Sequence, residues 1–161
     1  MEPTMFTATQ IVDALVELKV THVIWIPDTT TGSWEPALES CSHFQLIRVC
    51  REGEAWALAG GLLIGDSLPI VLIQNTGFFE SGDSMRNIVF DLGIPVFAII
   101  GARNWLTESS SDTARRFTLP LVQAWDIDFE FITGPEEQEK LFLHFRKCRR
   151  TNQAGILLLA E

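Results

Sequence analysis

The sequence predicts an α/β protein with three layers, helices covering both faces of a six-stranded parallel sheet. Three observations carry this. Segments of helical and extended character alternate along the whole chain. Most extended segments are continuous apolar runs, as in strands buried on both faces, rather than the alternating runs of a half-solvated sheet. At 161 residues the chain has the length of one domain (1–161) with a full core, and no internal repeat or low-complexity stretch divides it.

The elements follow in order. Thr7-Ala8-Thr9-Gln10 has the form of a capping box, and Ile11, Ala14, Leu15 and Leu18 fall at helical spacing, so a first helix ends near Lys19. Residues 22–26 (HVIWI) are β-rich and apolar and form the first strand, which stops at Pro27. The turn Pro27-Asp28-Thr29-Thr30-Thr31-Gly32 leads to a short helix over 33–40, and 44–50 is the second strand. A helix over 52–65 follows, rich in small residues. Its adjacent Gly60 and Gly61 each cost about 0.5–1 kcal/mol against alanine and call for close packing. Residues 69–74 (PIVLIQ) are the third strand, and 75–83, with two glycines and exposed-looking Phe78-Phe79, reads as a loop. A helix over 84–91, a strand over 95–101, a polar loop over 102–113, a short helix over 118–125 and a short strand over 129–132 come next. A helix over 136–149, acidic early and basic late as its dipole favours, precedes the last strand, 155–159.

The net charge of −9 and the lack of any basic run longer than two residues exclude binding along a nucleic-acid backbone. The longest apolar stretch is broken by Asp91 and Pro95, so no membrane span is expected. Cys41, Cys50 and Cys148 are odd in number and lack metal-like spacing; they read as reduced, mostly buried thiols of a cytoplasmic protein, with no obvious histidine partner. No dinucleotide, P-loop, zinc-protease or nucleophile-elbow motif occurs. His22, His43 and His144 are scattered and read as structural.

Chemistry is therefore sought where the strands end. In open α/β sheets ligands bind beyond the carboxyl ends of the strands. The turns around Asp28, Glu52, Asn75 and Arg103 all follow strands. Glu52 sits in the first turn of the small-residue helix, where the dipole alone favours an acid. Arg51-Glu52-Gly53-Glu54-Ala55-Trp56-Ala57-Leu58-Ala59-Gly60-Gly61 resembles the glutamate-plus-small-helix segment in the pyrimidine-binding (PYR) domain of thiamine-diphosphate enzymes. It is most similar to that of the phosphonopyruvate and sulfopyruvate decarboxylases. Ile26-Pro27-Asp28-Thr29 is similar to their Val-Pro-Asp-Ser turn, Gln74-Asn75-Thr76-Gly77 to their Gln-Asn-Ser-Gly loop, and Ile100-Gly101-Ala102-Arg103 to their Ile-Gly-Trp-Arg segment. The matches keep the family's order and near-family spacing along almost the whole chain.

The resemblance implies a thiamine-diphosphate-binding fold of the PYR type. It implies that Glu52 contacts the pyrimidine N1′ of thiamine diphosphate and is the catalytic carboxylate, with Glu54 its nearest decoy. Pro27, Asp28, Asn75, Thr76 and Gly77 would complete the cofactor site; Asp28, Asn75 and Arg103 would meet a small 2-oxo-acid substrate. Two departures stand out. The loop Asn75 to Asp83 is longer and bulkier than the family's, which leaves phosphonate, sulfonate and carboxylate substrates open. No Gly-Asp-Gly…Asn motif is present to hold Mg²⁺ and diphosphate. The resemblance then implies a separate pyrophosphate-binding (beta) subunit carrying the Mg²⁺, with this chain as a homodimer in a larger oligomer. A non-catalytic PYR-fold scaffold or regulatory dimer is the alternative, slightly favoured by Phe78-Phe79. A flavodoxin-like domain holding FMN or a nucleotide ranks last, for want of a phosphate-cradling loop.

Overall fold

The computed structural model describes residues 5–29 and 31–161. Six strands form one parallel sheet in the order β2-β1-β3-β4-β6-β5, where β1 is His22–Trp25, β2 Gln45–Arg48, β3 Pro69–Gln74, β4 Phe97–Ala102, β5 Asp128–Ile132 and β6 Gly155–Ala160. Successive side chains of the central strands point to opposite faces and into two separate apolar clusters. Val23, Trp25, Ile70, Leu72, Ile99 and Leu157 face one; Ile24, Val71, Ile73, Ile100 and Leu158 face the other.

The first cluster is closed by α1 (Ala8–Glu17), α2 (Glu35–Ser40) and α7 (Glu139–Thr151), through Ile11, Leu15, Leu38, Leu141 and Phe145. The Thr7–Gln10 capping box opens α1, each residue bonding the other's backbone N–H. The second cluster is closed by α3 (Glu52–Ile64), α4 (Asn75–Glu80), α5 (Gly82–Arg86) and α6 (Thr113–Ala124), through Ala55, Trp56, Ala59, Phe78, Met85 and Val122.

The main correction falls on 75–83. It is not a loop: α4 starts directly after β3, α5 follows, and a π-helical turn, Asn87–Asp91, ends the run. Phe78 is fully buried rather than exposed. Of the two glycines that suggest a turn, Gly77 is there for space, since a Cβ on it would overlap the Glu52 side chain; one on Gly82 would make only ordinary contact with Trp125 at 3.5 Å. Tertiary contacts outweigh local propensity: Trp56 Nε1 donates to Ser81 Oγ at 2.9 Å, and Ser84 Oγ donates to the Gly53 carbonyl at 2.6 Å.

Three further expectations shift. α6 begins at Thr113, not 118, because Asp112 caps it by accepting from the Ala114 N–H at 2.9 Å; Pro120 is accommodated inside the helix. Of the adjacent glycines in α3, Gly60 has the expected packing reason, since a Cβ there would press on Ile88 at 3.2 Å. Gly61 has none, and its Cβ position opens onto empty space. The cysteines are mixed rather than mostly buried: Cys148 is buried, Cys41 half-buried and Cys50 exposed. Among the described residues no helix is long and apolar enough to cross a membrane.

Candidate functional site

The sheet order sets the location. From β1 the chain moves outward to β2, then returns to the other side of β1 to lay down β3 and β4. The carboxyl ends of β1 and β3 thus flank a topological switch point, the place where open α/β sheets bind ligands. A cleft of about 260 Å³ lies there, lined by Ile26, Pro27, Asp28, Thr29, Glu52, Gln74, Thr76 and Arg103.

Each lining residue is held by an identifiable element. Ile26 to Thr29 leave β1, and the Asp28 carboxylate accepts from the Thr31 N–H at 2.6 Å, which closes the turn. Thr30, in the same turn, lies outside the described residues. Thr76 Oγ1 donates to Gln74 Oε1 at 3.2 Å, which orients the Gln74 amide at the end of β3.

Glu52 opens α3, half-buried at the cleft wall. The absent Gly77 side chain leaves the space that the Glu52 side chain fills. Its neighbour is used differently. Glu54 Oε2 accepts from the backbone N–H groups of Cys50 at 3.0 Å and Arg51 at 3.3 Å, capping the helix start. The loop before α3 is tied to α4 as well. Glu80 pairs with Arg51 and accepts from the Gly53 N–H at 3.3 Å. So Glu54 and Glu80 are spent on the backbone and on Arg51, while Glu52 lines the cleft, across from Asp28 of the β1 turn.

Arg103, just past β4, completes the wall. Its Nε donates to Asp112 Oδ2 at 2.8 Å, an oxygen that also accepts from Asn104 Nδ2 at 2.7 Å. Three hydrogen bonds, with Arg103 first, hold the Asp112 carboxyl down to about 2. The bond to Asp112 likewise raises Arg103 above the ordinary guanidinium value, with Glu161 adding to it. Asn104 sits in the left-handed region at φ 59°, a conformation asparagine tolerates, and this turns the chain sharply after Arg103.

The structure thus gathers Pro27, Asp28, Glu52, Thr76 and Arg103 around one cleft. Gly77 lies behind Glu52 rather than on the wall. Asn75 is elsewhere: fully buried, it donates from Nδ2 to Thr118 Oγ1 at 2.8 Å and ties α4 to α6. Thr118 in turn donates to the Ala114 carbonyl, so its oxygen is the acceptor and the Asn75 Oδ1 is left buried with no partner. Gln74, one residue earlier, takes the place on the wall. Sequence reasoning missed Gln74 and Asp112. An acid directly before a helix start was the available signal for Asp112.

No family model matches the sequence. Over 148 residues, 90% of this chain, it is 26% identical to the phosphonopyruvate decarboxylase of Streptomyces viridochromogenes, of which the match spans 37%. The structure is similar to benzoylformate decarboxylase from Polynucleobacter necessarius, with a TM-score of 0.75 and 18% identity, covering 98% of this chain and 29% of that one. The chain therefore has the fold of a segment of one decarboxylase and distant sequence similarity to a segment of another.

Proposed function

We propose that this chain is the pyrimidine-binding part of a thiamine-diphosphate-dependent 2-oxo-acid decarboxylase of the phosphonopyruvate and sulfopyruvate type, completed by a separate pyrophosphate-binding subunit that holds Mg²⁺. The observation that carries the reading is the placement of Glu52 on the wall of the switch-point cleft, in space left by Gly77, while Glu54 and Glu80 are committed to the helix start and to Arg51. The residues fit the group. A carboxylate can hold the proton of pyrimidine N1′, and the Gln74 amide and Thr76 hydroxyl offer polar contacts on the same wall. When bound, thiamine diphosphate supplies a thiazolium that takes up the electrons released as carbon dioxide departs.

The chain's own residues have simpler tasks. Glu52 holds a proton at N1′ and so favours the imino form of the aminopyrimidine. Arg103, fixed through Nε by Asp112, offers positive charge to the anionic end of a 2-oxo acid. Asp28 and Thr29 close the β1 side of the cleft. Burial of Phe78 weakens the support that Phe78-Phe79 lend to the scaffold alternative.

Co-expression with a chain carrying a Gly-Asp-Gly…Asn segment tests the reading. The purified complex, given Mg²⁺ and thiamine diphosphate, is expected to release carbon dioxide from a phosphono-, sulfo- or carboxy-substituted 2-oxo acid. A stable complex that binds no thiamine diphosphate would contradict the proposal and favour the scaffold.

A further inference from the structure

Far from the switch point in sequence, α7 carries His144 and Cys148 four residues apart, hence on one face of the helix. Asp128, which opens β5, meets that face. One donor atom from each of the three lies within 4.8 Å of the other two. The Cys148 sulfur is 3.9 Å from either ring nitrogen of His144. His144 is 3% exposed and Cys148 1%. Gly155 makes the space, because a Cβ there would run into the Cys148 sulfur and the Phe97 ring. None of these residues lines the cleft described above.

We propose that Asp128, His144 and Cys148 form a transition-metal site of the zinc class, three protein donors with a fourth position left to water. The donor set of thiolate, imidazole and carboxylate suits Zn²⁺ or Co²⁺ and disfavours Mg²⁺ or Ca²⁺. A tetrahedral centre about 2.3 Å from sulfur and about 2.0 Å from nitrogen sets those two atoms about 3.5 Å apart. The present 3.9 Å is a few tenths of an ångström longer.

Lys147 Nζ binds Asp128 Oδ2 at 2.6 Å. It serves as the outer partner that carboxylate ligands commonly carry, with the second oxygen as donor. A small cleft of about 130 Å³, lined by Glu130, Lys140, Leu143, His144 and Lys147, gives an ion its way to the imidazole. Burial pushes the Cys148 thiol up to about 11 and His144 down. A bound ion takes the place of the thiol proton. It fastens β5, an edge strand, to α7. Cysteine spacing alone does not reveal the set, because two of its three members are not cysteines and one comes from another element.

Cobalt(II) titration of the reduced chain tests the site independently of any catalytic role. Near-UV thiolate-to-cobalt charge transfer and visible bands of a tetrahedral ion are expected at one cobalt per chain. They persist in the Cys41→Ser/Cys50→Ser double variant, which removes the exposed thiol and the Cys41–His43 pair at 4.0 Å. They vanish in Cys148→Ser. Asp128→Asn weakens binding at least about tenfold. It also removes the rise in melting temperature that Zn²⁺ gives the native chain, and this variant decides the matter if Cys148→Ser does not fold. Absence of the bands, their loss in the double variant, or unchanged affinity in Asp128→Asn overturns the proposal.

Discussion

Glu52 and Glu54 lie two residues apart in one helical turn and have different tasks. Their backbone surroundings separate them: Glu54 reaches back to the N–H groups of Cys50 and Arg51, and Glu52 turns to the cleft beside Gly77. This division was partly legible in the sequence, since the motif singled out the first of the two acids. Asp112 was not. Its partner Arg103 is nine positions away across a polar loop with no periodicity to link them. The Asp112 carboxyl is held at about 2 against an ordinary 3.8, so the folded form binds its proton less readily than the unfolded chain does. Its stabilising contribution is therefore complete above about pH 5, shrinks as the unfolded chain takes up its proton around the ordinary 3.8, and is lost as pH falls through about 2. Urea denaturation of the native chain and of Asp112→Asn is expected to show a stability gap that narrows steadily from pH 5 to pH 2.5. A gap independent of pH in that window would contradict the assigned cause.

The elements most legible in the sequence are those where local preference and packing agree. The strands β3, β4 and β6 are continuous apolar runs, α1 has its capping box, and α7 has its charge order. The segment 75–83 is where they disagree. Asn75, Gly77 and Gly82 favour a turn in isolation, but burial of Phe78 and the contacts of Ser81 and Glu80 with α3 make it helical. Phe78→Ala should therefore cost about 3–5 kcal/mol, read by chemical denaturation; a cost under about 1 kcal/mol would mean that this helix does not carry the second core. In α3 the two glycines part company. Gly61→Ala meets open space and should raise the melting temperature of the isolated chain, gaining roughly 0.5–1 kcal/mol. A loss instead would reveal a helix or chain packed closely on that outer face.

At the scale of the whole molecule, alternation of apolar strands and helices sufficed to predict six parallel strands in three layers. It did not supply their order, which depends on side-by-side pairings between distant segments. That order puts the turns after β1, β2, β3 and β4 around one switch point, so that four separate sequence segments share a cleft. Asn75 falls outside it because α4 starts immediately after β3 and turns that side chain towards α6. The role proposed for the Glu52 carboxyl is to hold the N1′ proton of thiamine diphosphate. Exchange of the bound cofactor's C2 proton for deuterium, followed by rapid quench and NMR in the complex with the proposed pyrophosphate-binding subunit, tests it most directly. Glu52→Gln is expected to slow the exchange by about 100-fold or more, while Glu54→Gln leaves it near the native rate; equal exchange in the native and Glu52→Gln complexes would contradict the account.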